Sequence, residues 1–212
     1  MKIAFLDGGA YYHHATFHDP EFNPHFAANL YAPELATVDL APYGALYIAS
    51  RQDPEYLRRN RDKFLEFLDA GKTLVVMGDN AAESWCPGVV WHETPVNFWW
   101  WLTPGADSTL RLAAPEHPLM ENMTLADFTW HRHGYLTPPQ GATSLIDTTD
   151  GGSVFYEDRV STPGRIFVTT LDPCYHHGSR FMPAASRLLR GFLPWLARQC
   201  DGRCAQRRAA AL

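Results

Sequence analysis

The sequence predicts an α/β fold in which helices cover both faces of a mostly parallel central sheet. Three observations predict it. Short apolar runs recur along the chain, a helical segment lies between two of them, and each run stops at a loop rich in Gly, Asp or Ser. A strand buried on both faces reads as a continuous hydrophobic run, as in a parallel sheet sandwiched between helices.

The elements follow in order. Residues 2–6, KIAFL, form a strand that ends in Asp7-Gly8-Gly9, and Ala45 to Ala49 form another that ends at Ser50-Arg51. Asp53 then caps a helix with Pro54 at its first position, Leu57, Phe64, Leu65 and Leu68 on its apolar face and Gly71 at its close. Thr73 to Met77 form the next strand, which ends in Gly78-Asp79-Asn80. From about 85 to 150, seven prolines break the chain into short pieces, among them the aromatic run Phe98-Trp99-Trp100-Trp101 and the strand-like Phe128 to Leu136. No Gly/Ser linker isolates this stretch, so residues 1–212 are expected to form one domain with an irregular, aromatic-rich elaboration. Beyond it come strands at Ser153 to Tyr156 and Arg165 to Leu171. A helix from about Pro183 to Arg198 closes the pattern, with Leu188, Leu189, Phe192, Leu193 and Leu196 inward.

Composition narrows the function. With 212 residues, 46% of them hydrophobic and 19% charged, the chain can bury a sizeable core. Its net charge of -5 without a basic stripe argues against a nucleic-acid partner. No run approaches the ~18 apolar residues of a membrane span and the start lacks a signal peptide's apolar stretch, so the expected compartment is the cytoplasm. Four cysteines, at 86, 174, 200 and 204, make no disulfide framework, and Cys200 and Cys204 in the CDGRC tail receive no role.

Ligands of open parallel sheets bind beyond the carboxyl ends of the strands. The groups just past those ends are Asp7 with Tyr11, Tyr12, His13 and His14, then Ser50-Arg51, then Asp79-Asn80, then Asp172 with Tyr175, His176 and His177. Seven of the ten histidines fall in three clusters: 13, 14 and 18; 131 and 133; 176 and 177. In FTWHRHGYL a period of two would put His131, His133 and Tyr135 on one strand face, where two imidazoles at i and i+2 can chelate one divalent metal. The same pair could instead hydrogen-bond a polar ligand or pack in a polar core. The tryptophan run fits the core, a contact between copies of the chain, or stacking on a ligand. The stretch Asp147 to Gly152 lacks the ligand alternation of an EF-hand and reads as a turn.

Several segments are similar to the trehalose-utilisation (ThuA-like) proteins of the class I glutamine-amidotransferase-like superfamily. They are AGKTLVVMGDN, HPLMENM and GRIFVTTLDPCYHHGSRFMPAASRLLRGFLPWL. The resemblance implies a flavodoxin-like three-layer sandwich, a link to sugar metabolism, and pocket residues in the His13/His14 and His176/His177 loops. Glutaminase chemistry is excluded on the residues themselves. The turn after Thr73–Met77 holds Asp79 and Asn80 rather than Cys, Cys86 lies beyond it, and no His-x-Glu pair exists in the chain.

The expectation is therefore a hydrolase- or lyase-type enzyme for a small, polar, carbohydrate-like molecule. Asp7, Arg51, Asp79, Asn80 and His176 are the catalytic candidates. Tyr12, His14, Trp100 and Tyr135 are the substrate-binding candidates, and His13, His131, His133 and His177 the ligands of a divalent metal, zinc first. The competing expectation is a non-catalytic ligand-binding or protein-interaction module on a degenerate amidotransferase-like scaffold.

Overall fold

The computed structural model of the chain describes residues 2–94, 99–149 and 151–210. Its strands are β1 (Lys2–Asp7), β2 (Phe26–Tyr31), β3 (Tyr43–Ile48), β4 (Thr73–Met77), β5 (Trp91–Glu93), β6 (Leu110–Leu112), β7 (Gly134–Leu136), β8 (Thr143–Thr148), β9 (Gly152–Asp158) and β10 (Arg165–Thr169). The α-helices are α1 (Tyr11–His18), α2 (Pro54–Arg59), α3 (Arg61–Asp69), α4 (Pro173–Gly178) and α5 (Pro183–Ala210).

One sheet holds all ten strands, in the order β2-β1-β3-β4-β10-β9-β7-β5, with β8 beside β9 and β6 beside β8. The neighbours from β2 to β10 run parallel. Every pair from β10 outward is antiparallel: β10–β9, β9–β7, β7–β5, β9–β8 and β8–β6. The expected flavodoxin-like sandwich with a mostly parallel sheet is thus corrected to a mixed sheet. The reason lies in the proline-broken middle of the chain. The connections β7–β8 (137–142), β8–β9 (149–151) and β9–β10 (159–164) are too short for the helical crossover a parallel pair needs, so the chain turns back on itself there.

The parallel half is built from the runs that were legible as such. β4 and β10 are buried at every residue, and β1 and β3 at all but their first. Alternate side chains feed two cores. Phe5, Tyr47, Val75 and Phe167 pack on the face covered by Leu188, Leu189 and Phe192 of α5; Leu6, Ile48, Val76 and Val168 face Leu57, Phe64, Phe67 and Leu68 of α2 and α3. The helix begun at Asp53 starts as expected, its carboxylate accepting from Glu55 N at 2.9 Å, but it breaks at Asn60, and Phe67 rather than Leu65 is buried. Among the described residues no helix is long and apolar enough to cross a membrane.

The expected strand from Phe128 to Leu136 is reduced to Gly134–Leu136. Phe128 and Trp130 are both buried, and His131 and His133 sit in irregular chain ahead of β7. Of the aromatic run, Phe98 lies outside the described residues, as does Asp150 of the expected polar turn.

Candidate active site

The carboxyl ends of β1, β3, β4 and β10 lie side by side, and backbone contacts cinch them together. Gly78 N donates to Thr169 O at 2.9 Å and Arg51 N to Asp79 O at 3.0 Å. Gly78 has φ +65°, and a Cβ there would meet the Ser50 Cβ at 2.7 Å and the Asp172 Cβ at 2.9 Å, so only glycine lets these turns approach so closely. Arg51 is itself left-handed at φ 62°, a conformation that costs on the order of 1–3 kcal/mol in a non-glycine residue and persists only where its surroundings enforce it.

Asp172, fully buried at the start of α4, is the hub. Its Oδ2 accepts from Arg51 Nη2 at 2.9 Å and Nε at 3.2 Å and lies 3.4 Å from His133 Nε2. Its Oδ1 lies 3.1 Å from His176 Nε2 and 3.5 Å from the Trp130 indole nitrogen. Burial opposes charge on Asp172, yet hydrogen bonds from His133 and His176, and the positive charge those rings can carry, hold the carboxyl far below the usual carboxylate range. His176 Nε2 also stands 3.2 Å from His131 Nε2. Burial, then repulsion from His176, brings His131 down to about 4, so at neutral pH it is an uncharged imidazole with a lone pair to give.

His131, Asp172 and His176 thus bring one ligand atom each to within 4.8 Å of the others, a group that could hold a metal ion. Ligand atoms ~2.0–2.1 Å from a tetrahedral cation are about 3.3–3.4 Å apart, close to the 3.2 Å and 3.1 Å edges observed. His176 Nδ1 is buried and takes no hydrogen bond among the described residues. Besides the Nε2 contact with Asp172, packing holds the ring, stacked on Phe181 and edge-on to Trp130.

Beside this group opens a cavity of about 590 Å³. Tyr11, Trp99, Tyr175 and Phe181 line it with aromatic surface, while Arg51, His131, His133, His176 and Ser179 give it a polar side. The Arg51 guanidinium stacks 3.9 Å over the Tyr175 ring.

Of the expected site residues, Arg51, His131, His133 and His176 come together here, and Trp100 lines an adjoining hollow. Of the proposed four-histidine metal set only His131 belongs to this group: His133 lies against the other oxygen of Asp172, and His13 and His177 are spent elsewhere. His13 is fully buried, with Nδ1 accepting from Gly8 N at 3.1 Å and Nε2 facing Ser50 O at 2.7 Å, so a tautomer protonated on Nε2 uses both nitrogens on backbone. His177 points to another hollow, with Ser186 Oγ at 2.9 Å from Nδ1 and an Asp19 oxygen at 3.3 Å from Nε2. Asp172 supplies the third ligand atom instead.

Other candidates serve the scaffold. Asp7 accepts from Gly9 N and Asn29 Nδ2. Buried Asn80 ties β3 to β4, donating to Ala49 O and Met77 O and accepting from Gln52 N, while Asp79 points to solvent. Tyr12 packs edge-on to Tyr175 and His13, and Tyr11 lines the cavity in its place. Exposed His14 pairs with His18, and Tyr135 stacks on His92. The spacing Asp172–His176, one helical turn just past a buried strand, was the sequence signal for the missed hub.

No protein-family model and no curated protein matches the chain. Among solved structures it is similar to the exo-beta-1,4-mannosidase Op5Man5 from Opitutaceae bacterium strain TAV5, with 11% identity and a TM-score of 0.50. The match covers 92% of this chain and 35% of that one, so the chain spans about a third of the mannosidase's length. At this identity the likeness concerns the fold alone. The mixed sheet overturns the flavodoxin-like description, and no comparison supports the ThuA-like resemblance.

Proposed function

We propose that the chain is a hydrolase- or lyase-type enzyme that handles a small, polar, carbohydrate-like molecule in the 590 Å³ cavity, assisted by a divalent cation, zinc first, on His131, Asp172 and His176. The observation that carries this reading is the convergence of the three ligand atoms at 3.1 and 3.2 Å beside a cavity. When bound there, such a cation polarises a substrate carbonyl or lowers the pKa of a water. Two protein nitrogens and one carboxylate oxygen would supply the three protein ligands that catalytic zinc sites use.

The chain's own residues supply the rest. Arg51, anchored on Asp172 and stacked on Tyr175, presents a guanidinium to an oxygen-rich group, and the aromatic lining offers ring faces to a sugar-like skeleton. His133, partly exposed at the cavity, can move a proton there. The activity that names the mannosidase agrees with a carbohydrate-like substrate. The route common to most glycosidases is unsuited to this cavity, however. It needs two carboxyl groups about 5–9.5 Å apart, and among the described residues no carboxylate lines the cavity: Asp172, which holds the lining residues Arg51, His133 and His176, is itself fully buried and held ionised.

Calorimetric titration of the chelator-treated protein with zinc tests the reading. One site per chain is expected, lost in His131→Ala and His176→Ala, together with zinc-dependent turnover of a panel of glycosides and sugar lactones. Ligand binding that is indifferent to zinc and unaccompanied by turnover would replace the enzyme with a binding module.

A further inference from the structure

We infer that the cavity is one half of a two-compartment cleft, whose second half takes a flat apolar ring carried by the same substrate; this deepens the reading above and rests on it for the polar half. A second hollow of about 320 Å³ is lined by Trp99, Trp100, Thr129, Trp130, Phe181 and Met182. Trp99 and Phe181 belong to both hollows, their rings edge to face with centroids 6.2 Å apart, and about half of each is exposed. They form the rim between the two. Trp130 ties the second hollow to the polar group, because the indole that lines it directs its nitrogen at Asp172 Oδ1.

Chemistry selects the occupant. The Thr129 hydroxyl is spent on Leu125 O at 2.7 Å and the Trp130 N–H on Asp172. A second sugar ring would find neither of these donors free for its hydroxyls, and buried polar groups without partners are costly. An aryl ring needs none and pairs edge-to-face or offset with indoles and with the Met182 thioether. An apolar cavity of ~150 Å³ already admits benzene, so the space is ample.

The substrate class is therefore an aryl conjugate of a hydroxyl-rich unit, with the conjugating C–O bond at the Trp99–Phe181 rim. Its hydrolysis balances with water alone: the C–O bond to the aryl oxygen breaks, water's hydroxyl goes to the hydroxyl-rich unit, and its proton goes to the phenol.

Calorimetric titration of the intact chain with 4-nitrophenol tests the second compartment by itself. Saturable one-site binding is expected, weakened at least tenfold by Trp100→Ala and by Met182→Lys, retained in Met182→Leu, and the same with or without zinc. 4-Nitrophenyl β-D-mannopyranoside is expected to displace the phenol. Absence of saturable binding, binding that survives both substitutions, or failure of the mannoside to compete overturns the inference. Phenol binding that persists where zinc binding fails sinks the metal reading alone and leaves the compartment standing.

Discussion

His131 and His176, 45 residues apart in the chain, meet Nε2 to Nε2 at 3.2 Å beside the buried carboxylate of Asp172. Two imidazolium rings could not sit so close, and His131 is the neutral member. The juxtaposition depends on Asp172, which fixes His176 with one oxygen and Arg51 with the other.

Replacing Asp172 by Asn keeps the shape and removes the charge. Arg51 and His133 then face an uncharged amide in a site closed to water on the Asp172 side, and breaking such a pair costs on the order of 3 kcal/mol. Urea unfolding of Asp172→Asn should show a lowered midpoint with an unchanged slope, and zinc affinity should fall by more than the 10–100-fold typical of a supporting residue. Wild-type stability in this variant would mean that Asp172 is not the hub.

Gly78→Ala probes the cinched strand ends. The left-handed φ of +65° and Cβ contacts at 2.7 and 2.9 Å give the methyl no space, so destabilisation should exceed about 1 kcal/mol. Because the clash falls on Ser50 and Asp172, ligand affinity should fall too, read by calorimetry on the fraction that remains folded.

At the opposite end of β10, Glu157 sets an acid limit on stability. Burial opposes its charge, but a hydrogen bond from His117 and the charges of Arg165 and Arg159 hold it at about 2, against an ordinary 4.5. A depressed folded value stabilises the protein above about pH 4.5, and that contribution is lost as the pH falls toward 2. It amounts to on the order of 3 kcal/mol. Unfolding free energies measured across this window should fall in the wild type and fall less steeply in Glu157→Gln, where Asp172 still contributes to the acid loss and which should be the weaker protein at pH 7.

The thiols should be inert. Burial pushes Cys174 up to about 12, and burial with the nearby Asp158 charge pushes Cys86 still further from its ordinary value. Iodoacetamide at pH 7 should leave both unlabelled by peptide mass spectrometry until denaturant is added. Labelling of Cys86 in the native protein would reopen thiol chemistry for this fold.

How much was legible in the sequence follows from how much pattern each segment carries. β1, β3, β4 and β10 are built round unbroken apolar runs (residues 3–6, 45–48, 74–77 and 166–168), so they and the loops at their ends could be read directly. β5 and β7 have three residues each, too few to display a period, and with them the antiparallel half of the sheet was lost. Arg51, His131, His133 and His176 were found because they follow strand ends or cluster in sequence. His13 has the same outward signature, yet its partners are the backbone of Gly8 and Ser50, which no side-chain pattern announces. Nothing in two adjacent tyrosines tells that α1 turns Tyr11 rather than Tyr12 toward the cavity.

The most direct measurement is anomalous X-ray scattering at the zinc edge from crystals grown with zinc. The account predicts one strong peak ~2.0–2.1 Å from His131 Nε2, His176 Nε2 and a carboxylate oxygen of Asp172. A peak at any other residues, or none while the two imidazoles keep their 3.2 Å contact, would contradict it.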